Sequence, residues 1–241
     1  MIETRHLTKK FGVLTAVDDI NLSIARGEFF SLLGLNGAGK TTTIKMLSCL
    51  ILPTSGDAII LDKNLIKEPQ HIKQKINVSP QETAIAPNLN VQENLEMIAG
   101  IYGIPGKVIP QEVDEMIKVF NLGEVRRKKA KLLSGGMQRR LSIAMALITE
   151  PEILFLDEPT LGLDVIARRE LWTIIRKLKG LTTILLTTHY MEEAEALSDR
   201  IAIIMKGRIK ATGTLDELLE QTNTKTLEDA FVFLNEEGTV K

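Results

Sequence analysis

Gly34-Leu35-Asn36-Gly37-Ala38-Gly39-Lys40-Thr41, with Thr42 next, fits the spacing G-x-x-x-x-G-K-[ST] in full. These residue types suit a polyphosphate. Glycines let backbone N–H groups curl around phosphate oxygens, and a helix start adds the positive end of its dipole. Lys40 would neutralise the outer phosphates, and the Thr41 hydroxyl would coordinate Mg²⁺. The alternative, a chance glycine-rich turn, does not require an apolar strand before it and a helix behind it. Here Phe29–Leu33 precedes and the helical stretch Thr42–Leu50 follows. A nucleotide site is expected.

Ile153–Leu156 is a second apolar run, and it ends in Asp157 and Glu158. Beside a phosphate loop, Asp157 could hold Mg²⁺ or its bound water. Glu158, one residue on, would point differently and could polarise an attacking water as a general base. Two solvated acids at a strand end are the plainer alternative. Ser134-Gly135-Gly136 opens another helix and forms a second anion-binding nest, unless Ser134 is an ordinary N-cap. Two phosphate-type sites make sense only if they meet around one nucleotide, within a chain or between chains.

The elements that must position these groups alternate between short apolar runs and helical patterns, which is the mark of an α/β domain with a largely parallel sheet. Phe29–Leu33, Ile76–Ser79, Ile153–Leu156 and Thr183–Leu186 read as buried strands. Leu141, Ala144, Met145 and Ile148 share one helix face, as do Leu171, Ile174, Ile175 and Leu178. Three segments break the alternation. Met1 to about Ile24 reads as a small antiparallel β layer. Residues 82–133 read as an inserted helical lobe, with helices at Asn94–Tyr102 and Val113–Phe120 and prolines 87, 105 and 110 as punctuation. After Gly213, Leu215–Leu219 and Leu227–Leu234 read as two tail helices.

Composition narrows the function classes. A net charge of −1 over 241 residues gives no global field to attract nucleic acid or an anionic membrane. The one basic cluster, Arg126–Lys129 with Lys131 near it, lacks the aromatic-bearing basic face of a nucleic-acid binder and reads as a solvated turn. A single cysteine, Cys49, excludes an internal disulfide framework and a multi-cysteine metal site. Charged residues at Glu3, Arg5 and His6 argue against a secretory leader. No run approaches the roughly 20 apolar residues of a membrane span, so any membrane role would need another protein to cross.

Taken together, these motifs resemble the nucleotide-binding subunit of an ATP-binding cassette (ABC) transporter, over about Ile2 to Gly213. The Ser-Gly-Gly signature carries most of the likeness. The resemblance implies a P-loop NTPase α/β core with a largely parallel sheet, an N-terminal antiparallel layer and an inserted helical subdomain at about 82–133. This ATP-binding domain would span 1–213, with a short helical tail at 214–241. It further implies ATP and Mg²⁺ as ligands and a set of matching residues. Gln81 resembles the glutamine that touches Mg²⁺ and relays nucleotide state to the helical lobe. Phe11 resembles the aromatic that stacks on adenine, with Phe where Tyr is commoner. His189 resembles the switch histidine at the γ-phosphate. Gly162-Leu163-Asp164 resembles the family's aspartate turn, although Leu161 and Val165 depart from the usual neighbours.

On the same resemblance, two copies, or one copy and a paralogue, would close head-to-tail on two ATP molecules. The Ser134 signature of one would cap the γ-phosphate held by the other. Residues 188–195 and the tail resemble the subgroup serving ABC-2-type export permeases, though 188–195 could simply be an exposed acidic helix start. The expected partner is a separate membrane permease, and the expected place is the cytoplasmic face of the membrane. Leu89, Val91, Leu95, Ile98 and Tyr102 are the candidate docking residues. A soluble relative acting on nucleic acid or ribosomes would carry tandem cassettes, a coiled-coil insertion or zinc cysteines. A non-catalytic sensor would be expected to lose one of Lys40, Asp157, Glu158 and His189, and a GTPase would need an Asn-Lys-x-Asp motif.

Overall fold

The computed structural model describes residues 1–237. Residues 238–241 of the expected tail lie outside the described residues.

Two sheets form the body. The first is antiparallel and contains β1 (Ile2–Phe11), β2 (Leu14–Ile20), β3 (Ser23–Ile24), β5 (Ser55–Ile60) and β6 (Lys63–Asn64). Its order is β2-β1-β5-β6, with β3 also on β1. The layer is therefore larger than the expected Met1–Ile24 segment. Gly56 and Asp57 interrupt the apolar alternation of β5, so its pairing with β1 is set by tertiary contact rather than by local pattern.

The second sheet holds β4 (Phe29–Leu33), β7 (Ile76–Ser79), β8 (Ile153–Asp157), β9 (Thr183–Thr188), β10 (Arg200–Met205) and β11 (Arg208–Gly213). Its order is β11-β10-β4-β9-β8-β7, and every pairing is parallel except β10 with β11. β4, β8 and β9 are buried throughout, as central strands covered on both faces should be, and the threonines of β9 and Ser31 of β4 are buried with their apolar neighbours.

Alternate side chains divide the core. Phe30, Leu32, Phe155 and Leu185 pack against the antiparallel layer and against α1 (Lys40–Leu47). Phe29, Leu154, Leu156, Ile184 and Leu186 face α3 (Val91–Ile101), α4 (Ile109–Val119), α5 (Gly135–Leu147) and α6 (Val165–Arg176). The short α2 (Pro69–Lys73) leads into β7. α7 (Met191–Leu197), α8 (Leu215–Thr222) and α9 (Leu227–Glu237) enclose a third cluster in which Leu218, Leu227, Phe231 and Leu234 meet Leu33, Ile201 and Ile203. Each such fully buried side chain contributes roughly 1.5–3 kcal/mol, so the two tail helices are part of the sheet's packing.

Helix starts follow side-chain chemistry. Asn90 and Glu93 make a reciprocal capping box on α3, three residues earlier than the apolar periodicity indicated. Pro110 stands in the first turn of α4, where its missing N–H costs nothing, so this proline opens a helix rather than breaking one. α1 stops at Leu47 instead of Leu50, because Cys49 takes a left-handed backbone with φ of 59°. Val91 and Leu95 are fully buried and cannot contact a partner, which corrects two of the five docking candidates. The apolar surface at the end of α3 is Ile101 and Tyr102.

Candidate functional site

Four neighbouring strands of the parallel sheet run in the order β4-β9-β8-β7, and each delivers a candidate group from its carboxyl end. β4 leads into the loop 34–41, β9 into His189, β8 into Asp157 and Glu158, and β7 into Gln81. The chain leaves β4 for the far edge at β7 and returns through β8 and β9. Ligand sites of open α/β sheets lie at such a reversal.

The phosphate loop sits directly on the antiparallel layer. Gly39 caps α1 with φ of 105°, and a Cβ there would fall 2.5 Å from Ala16 O on β2. Asn36 and Gly37 are exposed at the loop's crest, and Ala38 is buried. Ala38 O accepts from Gly207 N–H, and Gly34 N–H donates to Thr188 O. Lys40 is 4% exposed; its Nζ donates to Gly34 O at 2.8 Å and Leu35 O at 3.1 Å, and lies 3.0 Å from Glu158 Oε1. Thr41 and Thr42 occupy the first turn of α1.

The two carboxylates face different ways. Asp157 Oδ1 accepts from Thr41 Oγ1 at 3.1 Å and from Thr187 Oγ1 at 2.6 Å. At Glu158 the backbone turns into the left-handed region, with φ of 45°. Its N–H donates to Thr187 O and Thr187 Oγ1, both at 3.1 Å. The Glu158 carboxylate, 7% exposed, then lies between Lys40 Nζ and His189 Nδ1, each at 3.0 Å. With the carboxylate accepting, His189 Nδ1 is the donor. Thr41 and Asp157 offer a hydroxyl and a carboxylate at one point beside the loop, a hard-oxygen set that fits Mg²⁺.

Gln81 is exposed just beyond β7. Phe11 ends β1 half-exposed, with Lys9 Nζ 5.2 Å from its ring centroid, so it is a surface ring rather than a core one. Ser134 and Gly135 are exposed and, among the described residues, share no hydrogen bond with the loop 34–41. Ser134 Oγ accepts from Met137 N–H at 3.3 Å, so it caps α5. Asp164 caps α6 by accepting from Ala167 N–H at 2.9 Å, and a Cβ on Gly136 would meet Ala167 Cβ at 3.1 Å. The signature and the aspartate turn therefore lie side by side.

Thr187 and Arg139 were not anticipated from the sequence. Arg139, 4% exposed, donates to Asp157 O and Pro159 O at 2.8 Å each, to Gln81 O at 3.3 Å and to Pro80 O. It ties the ends of β7 and β8 to α5. Burial lowers its guanidinium to about 10, against the opposing pull of Asp157 and Glu193. Its value lies in four carbonyls that only the fold brings together. A groove of about 1100 Å³ between α4 and the ends of α5 and α6 contains none of these groups.

This fold and constellation define a phosphate-loop nucleotide-binding protein. The chain belongs to the ABC transporter family, whose pattern matches residues 17–161. It is 40% identical to the probable multidrug ABC transporter ATP-binding protein YbhF of Escherichia coli (strain K12), over 97% of this chain and 41% of that protein. The chain thus spans less than half the length of that relative. Its structure resembles one described as an ATP binding subunit of an ABC transporter, with 30% identity, a TM-score of 0.87 and coverage of 98% of this chain and 100% of that one. It also resembles the dimeric post-hydrolysis state of the ATP-binding cassette MJ0796 bound to ADP and Pi, with 29% identity, a TM-score of 0.80 and coverage of 89% and 99%. Among the described residues, no helix is long and apolar enough to cross a membrane.

Proposed function

We propose that this chain is the ATP-hydrolysing motor of a transporter, acting at the cytoplasmic face of a membrane through a separate permease, in the direction of export. The observation that carries the reading is the seating of Glu158 between Lys40 and His189, each 3.0 Å away, at the carboxyl edge of the sheet. The two contacts hold the carboxylate beside the phosphate loop, where it can hydrogen-bond a water that approaches the γ-phosphate. The multidrug description of YbhF supports export as the direction.

In this reading the backbone N–H groups of 36–41 cradle the phosphates, Lys40 offsets their charge and Phe11 offers a face to adenine. Thr41 and Asp157, with Gln81, would hold Mg²⁺, which neutralises charge on the phosphate oxygens when bound. Glu158 orients the attacking water and accepts its proton as the water oxygen bonds to the γ-phosphorus and the bond to the β-phosphate oxygen breaks. The products are ADP and phosphate. His189 steadies Glu158 and reaches toward the γ-phosphate.

The signature cannot reach the loop of its own chain by any hydrogen bond described here, and Ser134 and Gly135 face outward. A second chain, identical or paralogous, would bring its Ser134, Gly135 and Gly136 to the nucleotide, with Asp164 alongside. ATP favours the closed pair because it binds both faces at once. The test is the mass in solution of Glu158→Gln with and without Mg·ATP, by light scattering. Doubling with Mg·ATP is expected. Failure of this variant to bind Mg·ATP would overturn the site.

A further inference from the structure

His189 stands in a short link between β9 and α7, and one face of α6 holds that link at two points. Asp164, Arg168 and Trp172 recur every four residues and so share that face. The Arg168 guanidinium carbon lies 4.2 Å from the centroid of the Tyr190 ring, and Arg168 Nε is buried without a hydrogen bond among the described residues. The cation therefore packs over the ring, in an attraction that strengthens away from water. The Tyr190 ring in turn lies 4.1 Å from the His189 ring, tilted by 39°. His189 completes the series at Glu158 Oε2, 3.0 Å away. One turn further along α6, Trp172 Nε1 donates to Glu193 Oε1 at 3.0 Å, and Glu193 is fully buried in the first turn of α7. Residues 190 and 193, which follow His189 into α7, are thus both held by side chains of α6.

We propose that Arg168 and Tyr190 are positioning residues, which hold the His189 imidazole against Glu158 by stacking from α6. This rests on the reading that His189 and Glu158 serve ATP hydrolysis. The hydroxyl of Tyr190 has no part in it; the ring does the work. The exposed start of α6, at Asp164, Val165 and Ile166, connects to the same stack through one rigid helix.

The test is a double-mutant cycle in the full chain, read as kcat and KM for ATP. Arg168→Met and Tyr190→Ala should each lower kcat by roughly tenfold with KM changed less than about twofold, while Tyr190→Phe keeps most of kcat. In a His189→Ala background, Tyr190→Ala should cause no further loss, because it acts only through the imidazole. A full additional loss there overturns the stack alone. An unchanged kcat in His189→Ala overturns the reading of the site and the stack with it. A second measurement needs no turnover. Imidazole nitrogen NMR spectra contain only His6, His71 and His189. Arg168→Met should shift the His189 signals away from a fixed Nδ1–H form, and unchanged signals would overturn the proposal.

Discussion

The Thr187 hydroxyl donates to Asp157 Oδ1 across 2.6 Å, between two residues that pair directly across β9 and β8. Both are buried, and the same oxygen takes the Thr41 hydroxyl at 3.1 Å. Thr187 Oγ1 also receives the Glu158 N–H at 3.1 Å, so one hydroxyl orders both carboxylate residues. Thr187→Val keeps the shape and removes the hydroxyl. A loss of about 1–3 kcal/mol of stability is expected, from leaving a buried charged acceptor short of a donor. Urea denaturation measures it, and calorimetry should show weaker Mg·ATP binding. Unchanged stability and affinity would show that Thr41 alone suffices to hold Asp157.

Gly39 and Gly37 provide a matched pair within the loop. Both have positive φ, 105° and 80°, but a Cβ at 39 would strike Ala16 O at 2.5 Å, whereas nothing lies within 4 Å of one at 37. Gly37→Ala should cost only the left-handed backbone penalty, about 1–2 kcal/mol. Gly39→Ala should cost more, because β2 must also move, and should abolish ATP binding. Thermal melts and nucleotide titration of both variants check this. Equal costs at the two positions would mean that the loop shifts freely off the antiparallel layer.

Much of this architecture can be read from local patterns. The strands β4, β8 and β9 centre on the apolar stretches Phe29-Phe30, Ile153–Leu156 and Ile184–Leu186, and β7 alternates Ile76 and Val78 with Asn77 and Ser79. The loop, the Asp-Glu pair and the Ser-Gly-Gly helix start are contiguous in the chain. The strand β5 was hidden because Gly56 and Asp57 break its alternation. Arg139 was hidden because it lies in the Arg139-Arg140 pair, and its four carbonyl partners become neighbours only after folding. Glu193 was obscured for a related reason. Residues 188–195 can be read as an exposed acidic helix start, and Glu192 and Glu195 are exposed, yet Glu193 between them is fully buried. Charge along a sequence does not say which turn of a helix faces the core.

That burial has a consequence for pH. Loss of water pushes the Glu193 carboxyl above its ordinary 4.5, against the opposing pull of Thr188, Trp172, Thr160 and Arg168. In the window between 4.5 and the raised value, the folded chain holds a proton that the unfolded chain has released. Stability from this group is therefore complete below 4.5 and is lost as pH rises through the folded value. Glu193→Gln removes the titration while keeping an acceptor for the Trp172 indole. The variant should gain stability on the wild type as pH rises from 4.5 through the raised value, and thermal melts across that range read it as a widening difference in melting temperature. A wild type that gains on the variant over that range would instead mean an ionised Glu193 paired with Arg168.

Ser134 separates binding from closure. Its hydroxyl caps α5 through Met137 N–H at 3.3 Å, yet the side chain faces outward and touches none of Lys40, Thr41, Asp157 or Glu158 by hydrogen bond. Ser134→Ala removes the cap at a cost of about 1 kcal/mol and adds no bulk. Ser134→Arg removes the same cap and also places a long cation on the face that a second chain would meet. Both variants should bind Mg·ATP with near wild-type affinity, because the loop is untouched. Only the arginine should prevent the rise in mass in a Glu158→Gln background, and it should reduce turnover far more than the alanine does. Equal turnover in the two variants would confine Ser134 to its capping role and leave the head-to-tail site without its second wall. Loss of Mg·ATP binding by Ser134→Arg would carry a different message: the signature would then belong to the nucleotide site of its own chain.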